Sequence, residues 1–299
     1  MDRMKRTSVA LVTGSSIGIG LETSLVLARN GIHTFATMRD DQKGVSIKEI
    51  SNKEGLPIEV LKMDVDDNNS VRKTVLEIID KKKRIDVLVN NAGYGLFGAL
   101  EDISLEEIKA QFETNYFGAI RTIKEVLPTM RKQRNGIIVN VSSIAGVVGI
   151  PGECAYSSSK FALEVLSESI SYELQPFGIK VILIEPGVIN TNFMPNIRYP
   201  KNAYYRSTEA KREKEDNASQ SHYSETVDAF LPTYYSAMKN APPPSQVSAV
   251  IIKAINNASL SAQCLFRYTV GNDSSSLALA KRYMSDSQLC SYISDKVLK

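Results

Sequence analysis

Short apolar runs rich in valine and isoleucine recur along the chain, and longer segments with helical periodicity separate them. The apolar residues in each run follow one another without alternation, as is typical of strands that are buried on both faces. The intervening segments, such as 69–83 and about 104–132, repeat apolar residues at helical spacing. The pattern therefore predicts an α/β fold: a doubly wound, seven-stranded parallel sheet (a Rossmann fold) with helices on both faces. The predicted strands are 8–13, 32–38, 58–63, 85–90, 136–142, 180–185 and 264–269.

The region from about 192 to 245 interrupts this rhythm of strands and helices. It carries aromatic and then charged residues, and it ends on the proline-rich stretch PPPS at 242–245. Connections this long inside a compact domain usually carry function, as lids or binding loops. We therefore expect one domain over residues 1–299, with a substrate-binding lid inserted at about 192–245.

Composition excludes several classes of function. The chain has 36 basic and 33 acidic residues and a formal net charge of +3, so its charge gives no support for a nucleic-acid partner. Its two histidines are too few for a histidine-built metal site or a Ser–His triad, and we predict no metal. No apolar run approaches the roughly 18–20 residues of a membrane span, and the N-terminal apolar run is too short for a signal peptide. Together with three widely spaced cysteines, these features predict a cytoplasmic protein.

A glycine-rich turn directly follows the first predicted strand. It reads TGSSIGIG at 13–20 and leads into a predicted helix. Gly14, Gly18 and Gly20 would let the backbone approach a pyrophosphate, which would then lie at the positive end of that helix. The order of strand, turn and helix predicts a dinucleotide-binding site, although the spacing G-x-x-x-G-x-G differs from the fingerprint G-x-G-x-x-G.

The end of the second strand indicates which dinucleotide is bound. NAD-dependent enzymes place an acidic residue there to bind the ribose 2′-hydroxyl. This chain has Met38 at that point, followed by Arg39, whose guanidinium could pair with a 2′-phosphate. We therefore predict a preference for NADP(H), and NAD(H) stays possible because Asp40 comes next.

A tyrosine and a lysine stand four residues apart in CAYSSSKFA at 154–162. On a helix, Tyr156 and Lys160 would share one face. A phenol with a pKa of about 10 exchanges protons poorly near neutrality. An ammonium roughly 5 Å away would stabilise the phenolate by about 3 kcal/mol at an effective dielectric constant of about 20, or around two pKa units. We therefore expect Lys160 to lower the pKa of Tyr156 until it can act as a general acid and base.

Taken together, these motifs resemble the classical short-chain dehydrogenase/reductase family. TGSSIGIG is similar to the coenzyme motif of that family, and YSSSK at 156–160 is similar to its Y-x-x-x-K motif. NNAG at 90–93, SS at 142–143 and PG at 186–187 also match. The matches spread over residues 7 to about 195, and the C-terminal third is covered more loosely. The resemblance implies an NADP(H)-dependent alcohol dehydrogenase or carbonyl reductase in which Tyr156 exchanges the proton.

The resemblance also implies roles for individual residues. Ser143, thirteen residues before the tyrosine, would polarise the substrate oxygen, and Asn115 would hold a water in a proton relay to Lys160. Asp64 would bind the adenine amino group. The implied catalytic set is Asn115, Ser143, Tyr156 and Lys160. The implied cofactor contacts are Gly14, Ser16, Gly18, Ile19, Gly20, Arg39, Asp64, Val65, Asn91, Ala92, Gly93, Tyr156, Lys160, Pro186, Gly187, Ile189 and Thr191.

Longer stretches resemble the hydroxysteroid and retinol dehydrogenase branch of the family. They include ATMRD at 36–40, AGYGLFGALED at 92–102 and RYTVGND at 267–273. This resemblance implies a hydrophobic primary or secondary alcohol, or its carbonyl, as the substrate. It also implies a homodimer or homotetramer that pairs through the helices at about 104–132 and 154–175.

The expected substrate contacts are Ser143, Tyr156, Tyr94 and Phe193. Tyr94 and Phe193 belong to a larger set that could either line an apolar pocket under the lid or merely pack the lid against the domain. The other members of this set are Leu96, Val148, Met194 and Tyr199.

Two other interpretations stay open from the residues alone. A non-catalytic NADP(H)-binding regulatory module could keep the glycine turn, but it has no need for Asn115, Ser143, Tyr156 and Lys160 together. A sugar-nucleotide epimerase or dehydratase of the extended branch would resemble T-G-x-x-G-x-x-G, and the glycine spacing here differs from that motif.

Overall fold

The computed structural model describes residues 8–191, 196–206 and 219–297. Seven strands form one sheet in the order β3-β2-β1-β4-β5-β6-β9, and every neighbouring pair is parallel, which confirms the predicted sheet. Two short strands, β7 and β8, pair separately. The strands are β1 Val9–Val12, β2 His33–Met38, β3 Ile58–Lys62, β4 Val87–Asn90, β5 Gly136–Val141, β6 Ile179–Pro186, β7 Ala203–Tyr204, β8 Ser219–Gln220 and β9 Leu265–Val270.

Helices connect the strands of the large sheet. A π-helical turn, Glu113–Phe117, divides the single helix that the sequence predicts at about 104–132 into two. Such turns are rare and are often found at functional sites. The helices are α1 Gly18–Arg29, α2 Val45–Glu54, α3 Asn68–Lys82, α4 Leu105–Phe112, α5 Gly118–Gln133, α6 Cys154–Leu174, α7 Ser224–Lys239, α8 Pro244–Leu260, α9 Asn272–Tyr283 and α10 Asp286–Val297.

The two faces of the sheet bury separate apolar cores. Successive side chains of a strand point to opposite faces, so Val9 and Leu11 join one core while Ala10 and Val12 join the other. Apolar residues of α3 and α5 complete the first core, and those of α1 and α8 complete the second. Burial on both faces is why the strands are continuous apolar runs rather than alternating ones.

A third apolar cluster lies under the predicted lid. It joins Phe97 and Tyr156 to aromatic residues of α7, the helix that forms most of the described part of the lid. Tyr205 is fully buried in this cluster. Its hydroxyl donates a hydrogen bond to Asp102 Oδ2 at 2.7 Å and accepts one from the Ala99 N–H at 2.9 Å. The lid is thereby fastened to the loop that follows β4.

All three cysteines lie in the described ranges and are free. In the same ranges, the structure has no helix that combines the length and the apolar character needed to cross a bilayer.

We expect Tyr205→Phe to destabilise the protein, because the change leaves the Ala99 N–H and the Asp102 carboxylate without the buried hydroxyl. The free energy of unfolding should fall by about 1–3 kcal/mol, measured by urea denaturation. Tyr172→Phe, at an exposed position of α6, is the control and should leave the midpoint unchanged. Equal midpoints for the two variants would show that the buried hydroxyl does not fasten the lid.

Candidate active site

A cavity of about 730 Å³ opens at the carboxyl edge of the sheet. In open parallel sheets, ligands bind at this edge, where the strand order reverses direction. Here the reversal lies between β1 and β4, which are neighbours in the sheet although two strands separate them in sequence. The cavity is lined by the loops after β1 to β6, by α6 and by the lid helix α7.

The glycine turn after β1 forms one end of this cavity. Gly14 and Gly18 have φ angles of 67° and 59°, in the left-handed region that favours glycine. A Cβ atom on Gly14 would lie 2.8 Å from Ala92 Cα, so only glycine fits beside the β4 loop. The Asn91 side-chain amide donates hydrogen bonds to Thr13 O and Gly14 O, both at 3.0 Å, and this fixes the turn.

Gly20 has a different position from the one that the sequence predicts. It does not line the cavity. A Cβ atom there would lie 2.3 Å from Gly14 O, so this glycine lets α1 pack closely beneath the turn. Gly20 therefore supports the turn from behind rather than facing a ligand.

The far end of the cavity, beyond β2, carries two exposed cations. Arg39 and Lys43 both line it. Asp40 does not: its carboxylate accepts a hydrogen bond from Gln42 N–H at 3.1 Å and caps a short 3₁₀ turn. Asp64 lines the same end and accepts a hydrogen bond from Asp66 N–H at 3.1 Å.

The predicted acid–base residues meet in the middle of the cavity. Tyr156 and Lys160 lie one turn apart on α6, and Ser143 follows β5. The Tyr156 and Ser143 side chains both line the cavity, and the Ser143 hydroxyl donates a hydrogen bond to Pro186 O at 3.5 Å. Lys160 Nζ lies 5.8 Å from the centre of the Tyr156 ring and donates a hydrogen bond to Val141 O at 2.9 Å. All three side chains are buried.

Burial, rather than the lysine, dominates the titration of Tyr156. It raises the pKa of the phenol well above its usual value; nearby Glu153 raises it further, and the neighbouring Ser143 hydroxyl opposes the rise. The expectation that Lys160 lowers this pKa is therefore wrong for the chain by itself. Burial also lowers the pKa of Lys160 to about 8, against the opposing charge of Glu164. Removal from water disfavours the charged form of each group, so the phenol keeps its proton.

Asn115 lies behind the cavity wall, within the π-helical turn. Its amide donates hydrogen bonds to Ser159 Oγ at 3.1 Å and to Tyr94 O at 3.0 Å, and its oxygen accepts one from Tyr94 N–H at 3.1 Å. It does not line the large cavity. A small separate cavity of about 10 Å³ borders both Asn115 and Lys160. This is close to the volume of roughly 10–15 Å³ that one water requires.

The structure brings most other predicted residues to the large cavity. Tyr94 lines it beneath the Arg198 guanidinium, whose carbon lies 3.9 Å from the ring centre. Phe193 and Met194 lie outside the described residues. Further predicted cofactor contacts that line the cavity are Ser16, Ile19, Val65, Asn91, Ala92, Gly93, Pro186, Gly187, Ile189 and Thr191.

Three of the residues that the sequence predicts either to line the pocket or to pack the lid have a packing role. Leu96, Val148 and Tyr199 do not line the cavity. Each contributes instead to an apolar cluster, beside Ile103, Leu289 and Phe230 respectively.

Sequence reasoning missed several cavity residues. Phe230 and Tyr234 come from α7, and Asp273 and Leu277 from α9. The Asp273 carboxylate accepts a hydrogen bond from Val188 N–H at 2.7 Å and so holds the loop after β6. No spacing in the sequence connects these helices with the motifs. Glu153, also missed, had a signal: it is the only charged residue between Ser143 and Lys160.

Comparison with known proteins agrees with this geometry. A family model described as short chain dehydrogenase matches residues 8–202. A 3-ketodihydrosphingosine reductase from Bacteroides thetaiotaomicron is 43% identical over 188 residues, which cover 63% of this chain and 66% of that protein, just under two thirds of it. Retinol dehydrogenase 8 from Bos taurus is 37% identical over 254 residues, which cover 83% of this chain and 78% of that protein.

A solved structure of an actinorhodin polyketide ketoreductase with NADPH has a similar fold. It superposes with a TM-score of 0.71 at 25% identity, and the match covers 88% of this chain and 95% of that one. The family model spans β1 to β6, six of the seven strands of the large sheet, together with the glycine turn and the Tyr156–Lys160 pair. The structure places the loops after these strands and the pair around one cavity. This chain therefore belongs to the classical short-chain dehydrogenase/reductase family, and it resembles the retinol dehydrogenase branch of that family.

Proposed function

We propose that this oxidoreductase reduces hydrophobic ketones or aldehydes with NADPH, and that it catalyses the reverse oxidation of the corresponding alcohols. The observation that carries the proposal is that Tyr156 and Ser143 are buried together in the wall of one cavity, with Lys160 one helical turn from Tyr156. Two hydroxyls on one cavity wall can both donate to one substrate oxygen, which is the arrangement that carbonyl reduction requires.

The residues at the glycine end suit a dinucleotide. Gly14 and Gly18 have left-handed φ angles and no side chains, so they leave an open cradle. A Cβ atom on Gly18 would occupy part of this cradle and would lie 3.5 Å from Thr191 Cβ. The N-terminus of α1 faces the same space and favours a pyrophosphate. Asn91, Ala92 and Gly93 would flank the adenosine half, and Pro186, Gly187 and Ile189 the nicotinamide half. When bound, NADP(H) would supply or accept the hydride.

The charges at the far end support NADP(H) over NAD(H). Arg39 and Lys43 present two cations to the cavity, whereas the Asp40 carboxylate is engaged by the Gln42 backbone. A guanidinium and an ammonium would stabilise a 2′-phosphate, and the Asp40 carboxylate already accepts a hydrogen bond from Gln42 N–H. The ketoreductase of similar fold was solved with NADPH, which also supports this preference.

Arg39→Ala tests the cofactor preference. We expect the Kd for NADPH to rise about 10- to 100-fold, since a hydrogen bond between charged groups is lost, while the Kd for NADH changes little. Fluorescence titration of each dinucleotide measures both constants. Arg72→Ala removes an exposed arginine of α3 and is the control. Equal losses of NADPH and NADH affinity in Arg39→Ala would contradict a role in phosphate binding.

The titration of Tyr156 favours the direction of reduction. Because burial keeps the phenol protonated near neutrality, it can donate its proton to the oxygen of a substrate carbonyl. Ser143 would hold the same oxygen with its hydroxyl. The Lys160 ammonium lies near enough to stabilise the phenolate that forms when the proton leaves.

Asn115 would act on this proton transfer indirectly. Its hydrogen bonds tie the Tyr94 loop to α6 through Ser159, whose hydroxyl donates to Tyr156 O at 2.7 Å. The small cavity between Asn115 and Lys160 is of a size for one water, which supports a relay that returns a proton to the lysine.

Tyr156→Phe tests the acid–base assignment. Turnover should fall at least about 100-fold, because general acid catalysis typically contributes 10²–10⁴-fold, while NADPH affinity stays nearly unchanged. The assay follows NADPH absorbance over a panel of apolar ketones and aldehydes, and Tyr172→Phe on the same helix is the control. Wild-type turnover in Tyr156→Phe would remove the tyrosine from the mechanism. A chain that binds NADPH but reduces nothing on the panel would favour a regulatory binding module.

The substrate end of the cavity is mainly apolar. Ile150, Phe230, Ala237 and Leu277 line it beside Tyr156. Such a wall gains free energy by covering hydrocarbon and gives little to a small polar substrate. The printed names of the two relatives, a ketodihydrosphingosine reductase and a retinol dehydrogenase, also support a hydrophobic substrate.

We also propose that the chain forms a homodimer or homotetramer. Phe161, Val165 and Tyr172 make an exposed stripe along α6, and Val165 and Tyr172 are 65% and 61% exposed. Phe117, just before α5, is exposed as well. Contiguous exposed apolar residues on neighbouring helices are typical of a protein interface.

Val165→Lys tests this interface, since a buried unpaired ammonium would oppose association. Sedimentation velocity at micromolar concentration should show an oligomer for the wild type and a monomer for the variant. Val45→Lys, at an exposed valine of α2, is the matched control and should leave the oligomer intact. A monomeric wild type would overturn the proposal.

A further inference from the structure

The first turn of α9 places one carboxylate against the loop after β6. Asp273 lines the cavity, and its Oδ2 accepts a hydrogen bond from Val188 N–H at 2.7 Å. The next residue, Ser274, is fully buried, and its hydroxyl donates a hydrogen bond to Glu185 O at 2.6 Å. Two successive residues of α9 thus bind the backbone on both sides of the Pro186–Gly187 pair, so the start of the helix and the loop are fixed to each other.

Two glycines leave the space that the Asp273 carboxylate occupies. A Cβ atom on Gly187 would lie 2.2 Å from both carboxylate oxygens, and one on Gly271 would lie 2.6 Å from Oδ1. Both distances are shorter than van der Waals contact, so neither position accepts a side chain while the carboxylate is there. Because these glycines follow β6 and β9, which are paired, the ends of both strands are shaped around this one group.

The Asp273 carboxylate has no cationic partner. Within the ranges that the structure describes, no lysine, arginine or histidine forms an ion pair with it. Its charge is stabilised instead by the positive end of α9, since it lies in the first turn of that helix.

The other three carboxyl groups that line the cavity differ from Asp273 in position or in charge. Asp64 and Asp66 follow β3, which is at the opposite edge of the sheet from β9. Burial raises the pKa of Glu153 to about 8, so this carboxyl is mostly uncharged near neutrality. Asp273 is therefore the one negative charge that the described residues bring to the β6 end of the cavity.

The loop that Asp273 holds lies beside the residues that would bind the substrate oxygen. The Ser143 hydroxyl donates a hydrogen bond to Pro186 O at 3.5 Å. Hydride transfer requires contact between the nicotinamide ring and the carbonyl carbon whose oxygen Ser143 and Tyr156 would hold. The ring would therefore bind near this loop, in the part of the cavity that Asp273 lines.

The two forms of the cofactor differ by one charge, and that charge is on the nicotinamide ring. The ring is neutral in NADPH and positive in NADP⁺, while the remainder of the molecule is the same. A fixed carboxylate near the ring attracts the oxidised form and has little effect on the reduced form. A residue that only positioned the loop would affect the binding of both forms equally.

We propose that Asp273 makes the cavity bind NADP⁺ more tightly, relative to NADPH, by holding a negative charge near the oxidised nicotinamide ring. The inference rests on the proposed reductase function and deepens it at the cofactor site. In carbonyl reduction, one hydride moves from NADPH to the carbonyl carbon, one proton moves from Tyr156 to the carbonyl oxygen, and NADP⁺ remains. The carboxylate would therefore stabilise the bound products and favour reduction over oxidation on the enzyme.

Asp273→Asn tests the charge, because asparagine has nearly the same shape and its oxygen can accept the Val188 N–H, but it cannot ionise. The measured quantity is the ratio of the Kd for NADP⁺ to the Kd for NADPH, each determined by titration calorimetry without substrate. The ratio should rise about tenfold in this variant, as expected for the loss of one charge interaction. Asp286→Asn, at an exposed carboxylate in the first turn of α10, is the matched control and should keep the wild-type ratio.

Two further measurements separate the charge from folding. Adenosine 2′,5′-bisphosphate represents the adenosine half of the cofactor without the nicotinamide ring. Its Kd should be the same for the wild type and for Asp273→Asn, which also shows that the variant is folded. Asp273→Ser is a second neutral variant with a smaller side chain, and it should raise the ratio by a similar factor.

The outcomes separate this inference from the function on which it rests. If NADP⁺ and NADPH bind equally more weakly to Asp273→Asn, or if neither Kd changes, the ratio stays at the wild-type value; the role of the charge is then overturned and the reductase stands. A ratio that falls in the variant also overturns it. A wild type that binds neither dinucleotide overturns both the inference and the proposed function.

Discussion

The parallel pairing of β1 with β4 and of β4 with β5 is the constraint on which the site depends. Because parallel strands end at the same edge, the glycine turn after β1, the NNAG loop after β4 and the serines after β5 open onto one cavity. The contacts between these loops are close: Asn91 binds the carbonyls of Thr13 and Gly14, and the Thr13 hydroxyl accepts hydrogen bonds from the Asn91 and Ala92 N–H groups. A shift in strand register would break these bonds and close the cradle.

The second constraint is burial, which shifts the pKa values of the titratable groups in the site. The same wall that excludes water from Tyr156 raises the pKa of that phenol, lowers the pKa of Lys160 and raises the pKa of Glu153. Near neutrality the phenol and the Glu153 carboxyl are therefore held in their neutral forms, whereas Lys160, with a pKa of about 8, stays largely protonated.

The lid and the C-terminal helices complete the site from outside the motif-bearing region. The aromatic residues of α7 pack on Phe97 and Tyr156, with ring centres of Phe97 and Tyr234 5.5 Å apart. From α9, Asp273 leaves no room for a side chain on Gly187, because a Cβ atom there would lie 2.2 Å from both carboxylate oxygens. Helix α7 thus packs against Tyr156, and α9 packs against the loop after β6, although both helices are far from the motifs in sequence.

The sequence by itself determined the sheet, the glycine turn and the pairing of Tyr156 with Lys160, because these depend on local rules: continuous apolar runs for buried strands, glycine for a left-handed φ, and a four-residue spacing for one helical face. The tertiary structure decided what depends on contacts across the chain. It turned Asp40 toward a backbone cap, placed Gly20 and Asn115 behind the cavity wall, and packed Leu96 and Val148 away from it. It also decided the protonation of Tyr156, since a pKa depends on how much water the whole fold excludes, and no spacing in the chain records that.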